Sequence, residues 1–92
     1  MAFTDTEIAA AREAAYQAGA PEDLYKLGLI YSTGQGAEID LVQAHMWFNL
    51  AALRGSQCAK ECRKELSDQM TTAEVAAAQR AAREWLNKTT VH

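Results

Sequence analysis

A chain of 92 residues that is 49% hydrophobic is long enough for one small domain with its own core, and alanine and leucine dominate that apolar fraction. The net charge of −3, with basic residues that form no block, excludes a typical nucleic-acid-binding surface, because phosphate binding depends on clustered lysine and arginine. No apolar run reaches the roughly 20 residues that cross a bilayer, and no leader pattern opens the chain. With only two cysteines, we expect a cytoplasmic protein that does not insert into a membrane.

The first two helices are marked by their ends. Thr4 and Glu7 have the spacing of a capping box, and the alanine-rich segment after them ends at Gly19. Pro21 suits the first turn of a second helix, where its missing N–H is not required. The two predicted helices span about residues 5–18 and 21–33.

Three further helices follow by the same signals. Asp40 caps a third helix that stops at Gly55, Ser56 begins a fourth, and Thr71 with Glu74 repeats the capping box before a fifth. We expect these helices at about residues 41–54, 56–69 and 72–86, with a frayed tail at 87–92. The prediction is an all-α fold of about five antiparallel helices with short connections.

The helices contain a repeat, since Gly19 and Gly55 both end an alanine-rich helix and lie 36 residues apart. The segment between them resembles the Sel-1-like repeat (SLR), a tetratricopeptide-like (TPR-like) α/α unit. The matching positions are Leu27, Gly28, Tyr31, Gly34, Gly36, Asp40, Ala44, Trp47, Phe48, Ala51, Ala52 and Gly55. The resemblance implies a short α/α solenoid: a single domain over 1–92, with one complete repeat at about 20–55 and flanking helices at 4–19 and 56–87.

The resemblance ends after about Ala59. Arg63 and Lys64 stand where Leu27 and Gly28 would recur, and no second Gly-x-Gly turn follows. Terminal repeats of solenoids are commonly atypical because they present a polar outer face. We therefore interpret the last two helices as a cap.

The glycines of the loop raise the possibility of a phosphate site. No strand precedes the loop, no Lys-Ser or Lys-Thr follows it, and Glu38 and Asp40 would repel a phosphate. We therefore expect Gly34 and Gly36 to turn the chain between two helices. Gly28 would let Trp47 or one of its neighbours approach the backbone of the second helix.

Apolar residues at helical spacing predict the core. On the second helix they are Leu24, Leu27, Gly28 and Tyr31, and on the third they are Ala44, Trp47, Phe48, Ala51 and Ala52. The third helix is apolar nearly all round, with Val42, Met46 and Leu53 on its other side. We expect it to be buried between the first and fifth helices, with that other side as an alternative partner face.

No metal, cofactor or catalytic residue is predicted. Cys58 and Cys62 could form a metal site with His45, but His92 in the tail is a poor fourth ligand. With Ala59, Leu66 and Met70 on the same helix, we interpret the two thiols as inert core residues. His45 has no evident partner in the sequence, and no nucleophile is paired with a base.

The resemblance implies a function in binding another protein, as a small adaptor or as an assembly factor of a larger complex. One alternative is a permanent accessory subunit, including one of a membrane-associated complex docked from the cytoplasmic side. Secreted, cysteine-rich SLR relatives are associated with β-lactam binding or hydrolysis. This chain lacks their regularly spaced disulfide-linked helix pairs, so we expect no enzyme.

The partner surface is predicted on the second helix, where Tyr25, Leu29 and Ser32 form a stripe beside the core face. In TPR-like solenoids the first helix of each pair lines the concave face, so the fourth helix should supply the opposite wall. A 35-residue shift places Lys60, Lys64 and Ser67 there, and a 36-residue shift places Glu61, Glu65 and Asp68 there. The charge of the groove remains open, as does the alternative that Tyr25 packs against the first helix.

Overall fold

The computed structural model describes residues 4–17, 19–34 and 38–89, and within them every regular element is an α-helix. The helices are α1 (Asp5–Gln17), α2 (Pro21–Thr33), α3 (Leu41–Leu53), α4 (Gln57–Gln69) and α5 (Thr72–Thr89). The all-α prediction is confirmed, and the arrangement is consistent with a helical repeat. The predicted tail at 87–92 was wrong in its first part, since α5 continues through residues 87–89.

Four of the five helices start with a side-chain cap, whereas α2 starts at Pro21 after Ala20, which makes no such bond. In both capping boxes the threonine hydroxyl accepts from the backbone N–H of the glutamate at 3.1 Å, and the glutamate carboxylate accepts from that of the threonine. Asp40 accepts from the N–H of Gln43, and Ser56 from that of Ala59, each at 3.1 Å. The predicted cap residues are confirmed, because each satisfies donors that the first turn leaves without a partner.

The loop after α2 begins as a helix C-cap. Gly34 has φ +73°, in the left-handed region that favours glycine, and its N–H donates to the Ile30 carbonyl. Asp40 N–H then donates to the Tyr31 carbonyl at 2.9 Å, which ties the loop back to α2. The turn prediction is confirmed for Gly34, whereas Gly36 lies outside the described residues.

Helix α3 is the centre of the fold and packs against α2, α4 and α5, while α1 packs against α2. Its buried residues are Ala44, His45, Met46, Trp47, Phe48, Leu50 and Ala51. The prediction that α3 is buried on several sides is confirmed, but its neighbours are corrected, because α4 lies where α1 was expected. The α3–α5 contact includes an edge-to-face pair of Trp47 and Trp85, with ring centroids 5.7 Å apart.

Gly28 allows the close approach of α2 and α3. A Cβ atom at this position would lie 2.4 Å from two ring carbons of Phe48. The neighbour that requires the glycine is therefore Phe48 rather than Trp47. Among the described helices, none combines the length and the hydropathy that a membrane span requires.

Candidate functional site

Two separate cavities lie between α2 and α4, and we call the surface that contains both of them the α2–α4 groove. At one end, Leu29 and Ser32 of the predicted stripe border a cavity of about 220 Å³, which we call the Leu29 cavity. It is lined by Leu29, Ser32, Leu41, Phe48, Cys62, Glu65, Leu66 and Gln69. Both stripe residues are half-buried, so they are accessible from the groove while resting on the core.

Tyr25, the third residue of the stripe, lies one helical turn before Leu29. It borders a second cavity of about 340 Å³, the Tyr25 cavity, which is lined by Pro21, Glu22, Tyr25, Gly55, Ser56 and Cys58. Its ring centroid lies 5.8 Å from that of Phe48, which gives Tyr25 an aromatic neighbour on α3. Partial burial raises the pKa of the Tyr25 phenol, and the nearby Cys62 thiol raises it further.

The α4 wall of the groove does not follow either predicted shift. Of the 36-residue set, only Glu65 lines the Leu29 cavity, while Glu61 and Asp68 line a separate depression on α4. Lys60 and Lys64 line that depression too, so the lysines are wrongly placed in the α2–α4 groove. The physical reason is the rotation of α4 about its axis, which turns Cys58, Cys62, Glu65 and Gln69 toward the groove.

The two cysteines differ in their environment. Cys58 is exposed and Cys62 is half-buried, and both are free thiols. The interpretation of both as inert core residues is therefore wrong for Cys58. Within the described residues, no group of three or more histidine, cysteine, aspartate or glutamate side chains is arranged to hold a metal ion.

His45 has a partner that the sequence did not reveal. Its side chain is 2% exposed, and its Nε2 lies 2.9 Å from Oγ of Ser67, which itself donates to the Arg63 carbonyl at 2.9 Å. Because the hydroxyl has one hydrogen, this geometry assigns the proton to Nε2, so that the imidazole donates to Ser67. Nδ1 is then a buried nitrogen with no hydrogen-bond partner in the structure.

This environment holds His45 in its neutral form. Burial lowers the pKa of the imidazole, and the positive charge of Arg63 lowers it further. Arg63 is fixed beside it by donating to Oδ1 of Asn49 at 2.6 Å. Since the imidazole donates to Ser67, the serine is not activated by a base, and the pair joins α3 to α4.

The alternative partner face on α3 is divided by the fold. Met46 is 7% exposed, Val42 is half-buried, and Leu53 is 62% exposed. Met46 borders a cavity of about 250 Å³ between α3 and α5, with Gln43, Trp47, Ala81, Glu84, Trp85 and Lys88. Leu53 alone of the three remains freely exposed.

Neither the protein-family models nor the curated proteins include a match to this chain, and no solved structure is significantly similar to it. The likeness to a Sel-1-like repeat therefore rests on the residues of the sequence. The geometry of the α2–α4 groove is the basis for the function proposed below.

Proposed function

We propose that the chain is an SLR-type protein–protein interaction module, a non-catalytic scaffold of the cytoplasm that serves as an adaptor or assembly factor. The partner binds in the α2–α4 groove. The observation that carries the proposal is the pair of cavities in that groove, which mix apolar floor residues with polar rims. Such a mixture is typical of a recognition surface.

The size of the cavities favours a protein partner over a small molecule. At about 220 and 340 Å³, they lie at or below the lower end of the roughly 300–1,000 Å³ of small-molecule sites. Each has room for one or two side chains of a bound segment. The Leu29, Leu41 and Phe48 side chains provide apolar contact there, and Tyr25 provides a ring with a polar tip, a frequent interface anchor.

The test begins with a photo-crosslinking amino acid at position 32, introduced in the cell from which the chain comes, followed by mass spectrometry of the adduct. The same amino acid at Arg80, an exposed position on α5, is the control. We expect one defined protein to be captured from position 32 and not from position 80. Equal capture from both positions, or none from position 32, would contradict the proposal.

The affinity for the captured protein is then measured by calorimetry with a matched pair of variants. Ser32→Arg places a large side chain in the Leu29 cavity, whereas Thr33→Arg places it outside that cavity on the next residue of α2. Both substitutions remove a hydroxyl that bonds to the Leu29 carbonyl, so their local effects on α2 are similar. We expect Ser32→Arg to weaken binding at least tenfold, about 1.4 kcal/mol, and Thr33→Arg to leave it within twofold.

A second candidate function is that of a permanent accessory subunit of a larger complex, including a membrane-associated one. It is favoured by Leu53 and Ile39, large apolar side chains that are 62% and 63% exposed. An adaptor should purify alone as a stable monomer, while a permanent subunit should aggregate without its partner. Leu53→Ser would then restore solubility. A β-lactam turnover assay on the same sample tests the remaining alternative of an enzyme.

A further inference from the structure

The two cavities of the α2–α4 groove carry charge of one sign. Glu22 is the charged residue that lines the Tyr25 cavity, and Glu65 is the charged residue that lines the Leu29 cavity. Both carboxylates are exposed, and no ion pair or side-chain hydrogen bond engages either of them within the described part of the chain. The groove therefore has an unbalanced negative charge at two separate points.

The cations closest to the groove in the sequence are directed elsewhere. Lys26 lies near Glu7 of α1, where hydrogen bonds from Thr4 lower the pKa of the Glu7 carboxyl and the charge of Lys26 lowers it further. Arg54 donates to the Gly19 carbonyl at 3.4 Å, and Lys60 and Lys64 line the separate depression on α4. Among the described residues no lysine or arginine lines either cavity, so a ligand there would meet the two carboxylates.

The rise of α2 between the levels of the two cavities gives a scale for the length of the ligand. The cavities follow one another along the groove, since Tyr25 and Leu29 are one turn apart on α2 and Cys58 and Cys62 one turn apart on α4. From Glu22 to the level of Leu29, α2 rises about 10 Å. An extended chain covers that distance in three or four residues at about 3.3 Å each.

The volume of the groove favours an extended ligand over a helical one. A helix about 10 Å across would fill about 800 Å³ over this length. The cavities, at about 220 and 340 Å³, are together smaller than that. A segment that inserts only individual side chains, with its backbone outside the cavities, fits the available space.

We propose that the α2–α4 groove binds an extended basic segment of the partner, with two lysine or arginine residues three or four positions apart on either side of an apolar residue such as leucine. The basic side chains pair with Glu22 and Glu65, and the apolar one rests on Phe48 and Leu41. The Tyr25 ring adds a cation–π surface for the first basic side chain. This inference rests on the proposed function, because it names the chemistry of the partner at the same groove.

The probes are three pools of eight-residue peptides around a central leucine, identical except for lysine, glutamine or glutamate at two positions three or four residues apart. Each pool is titrated into the ¹⁵N-labelled protein at low ionic strength, and the backbone amide signals are followed. We expect the lysine pool to shift the signals of Leu29, Ser32 and Glu65. The glutamine pool should bind about fivefold or more weakly, and the glutamate pool should not bind.

Two double variants that change the net charge equally test whether the binding of the lysine pool depends on Glu22 and Glu65. The double variant Glu22→Gln with Glu65→Gln should bind the lysine pool about fivefold or more weakly than the unaltered protein. Glu13→Gln with Glu84→Gln, which changes the net charge equally on exposed positions outside the groove, should leave its affinity within twofold. Glu22→Arg with Glu65→Arg should transfer the preference to the glutamate pool, a gain that an unfolded variant cannot produce.

Three outcomes would overturn the inference. If the glutamine or glutamate pool shifts the groove signals as strongly as the lysine pool, the groove binds peptides without the proposed charge selection, and the proposed function stands. If signals shift with protein concentration alone, the occupant is a second copy of this chain. If no pool shifts the groove signals, the basic-segment inference fails, and crosslinking from position 32 decides the proposed function separately.

Discussion

The contact between Gly28 and Phe48 predicts the effect of the substitution Gly28→Ala. The added Cβ would lie 2.4 Å from Cδ1 and Cε1 of Phe48 and 2.9 Å from its Cγ. Carbon atoms in contact are normally about 3.5–4.0 Å apart, so the ring would have to move by about 1 Å. The ring is 2% exposed and lies against Tyr25, so it has little freedom to move.

Two opposing contributions decide how much Gly28→Ala changes the free energy of unfolding. Overpacking of a filled core costs about 1–3 kcal/mol, and the overlap of two ring atoms in a buried side chain favours the upper end of that range. Replacing glycine by alanine inside a helix returns about 1 kcal/mol. The net destabilisation is about 2 kcal/mol, which for a domain of this length lowers the melting temperature by about 8–16 °C.

The measurement is urea denaturation followed by circular dichroism, on Gly28→Ala, Phe48→Leu and the double variant. Phe48→Leu removes the ring atoms that the new methyl group meets. In that background Gly28→Ala should therefore become neutral or stabilising, which gives a clear coupling energy. If Gly28→Ala alone stabilised the protein by about 1 kcal/mol, the close approach of α2 and α3 at this point would be refuted.

Two further predictions concern His45 and the thiols. Because the pKa of His45 is lowered in the folded protein, the unfolded chain binds more protons than the folded protein below a pH of about 6.5. The contribution of His45 to the free energy of unfolding is therefore fully present above that pH. Below it, the free energy of unfolding falls by up to about 1.4 kcal/mol per pH unit. Urea midpoints between pH 7.5 and 5 should show this slope, and His45→Gln should remove it; an unchanged slope in the variant would assign the effect to other groups. Iodoacetamide should alkylate Cys58 before Cys62 in the folded protein, as followed by mass spectrometry, because only Cys58 is exposed. Cys58→Ser should change stability by less than about 0.5 kcal/mol, and equal alkylation rates would contradict the placement of the thiols.

The helix ends could be predicted from the sequence because capping is a local interaction. Thr4, Asp40, Ser56 and Thr71 each bond to an N–H three residues later, so the information lies within one turn of chain. Gly34 was predictable for the same reason, since a helix end with positive φ selects glycine.

The wall of the groove could not be predicted, because it depends on how far α4 rotates about its axis. A shift of one residue turns a helix by about 100°, which is enough to exchange Lys64 for Glu65 at the groove. The buried face of α2 was likewise predicted only in part. Ile30 is fully buried, although it was not among the predicted core residues, because α1 covers a second side of α2. Tyr31, which was among them, is half-buried beside Arg12.

The position of α1 at the edge of the fold has a consequence for its dynamics. Among the α1 residues whose burial is described, Ile8, Ala11 and Ala15 are buried. Helix α1 packs against α2 alone among the helices with extensive contacts. A terminal element that is held mainly by one neighbouring helix opens at a lower free-energy cost than the whole domain. We therefore expect local unfolding of α1 to precede global unfolding and to leave α2 and α4, the two helices that line the groove, in place.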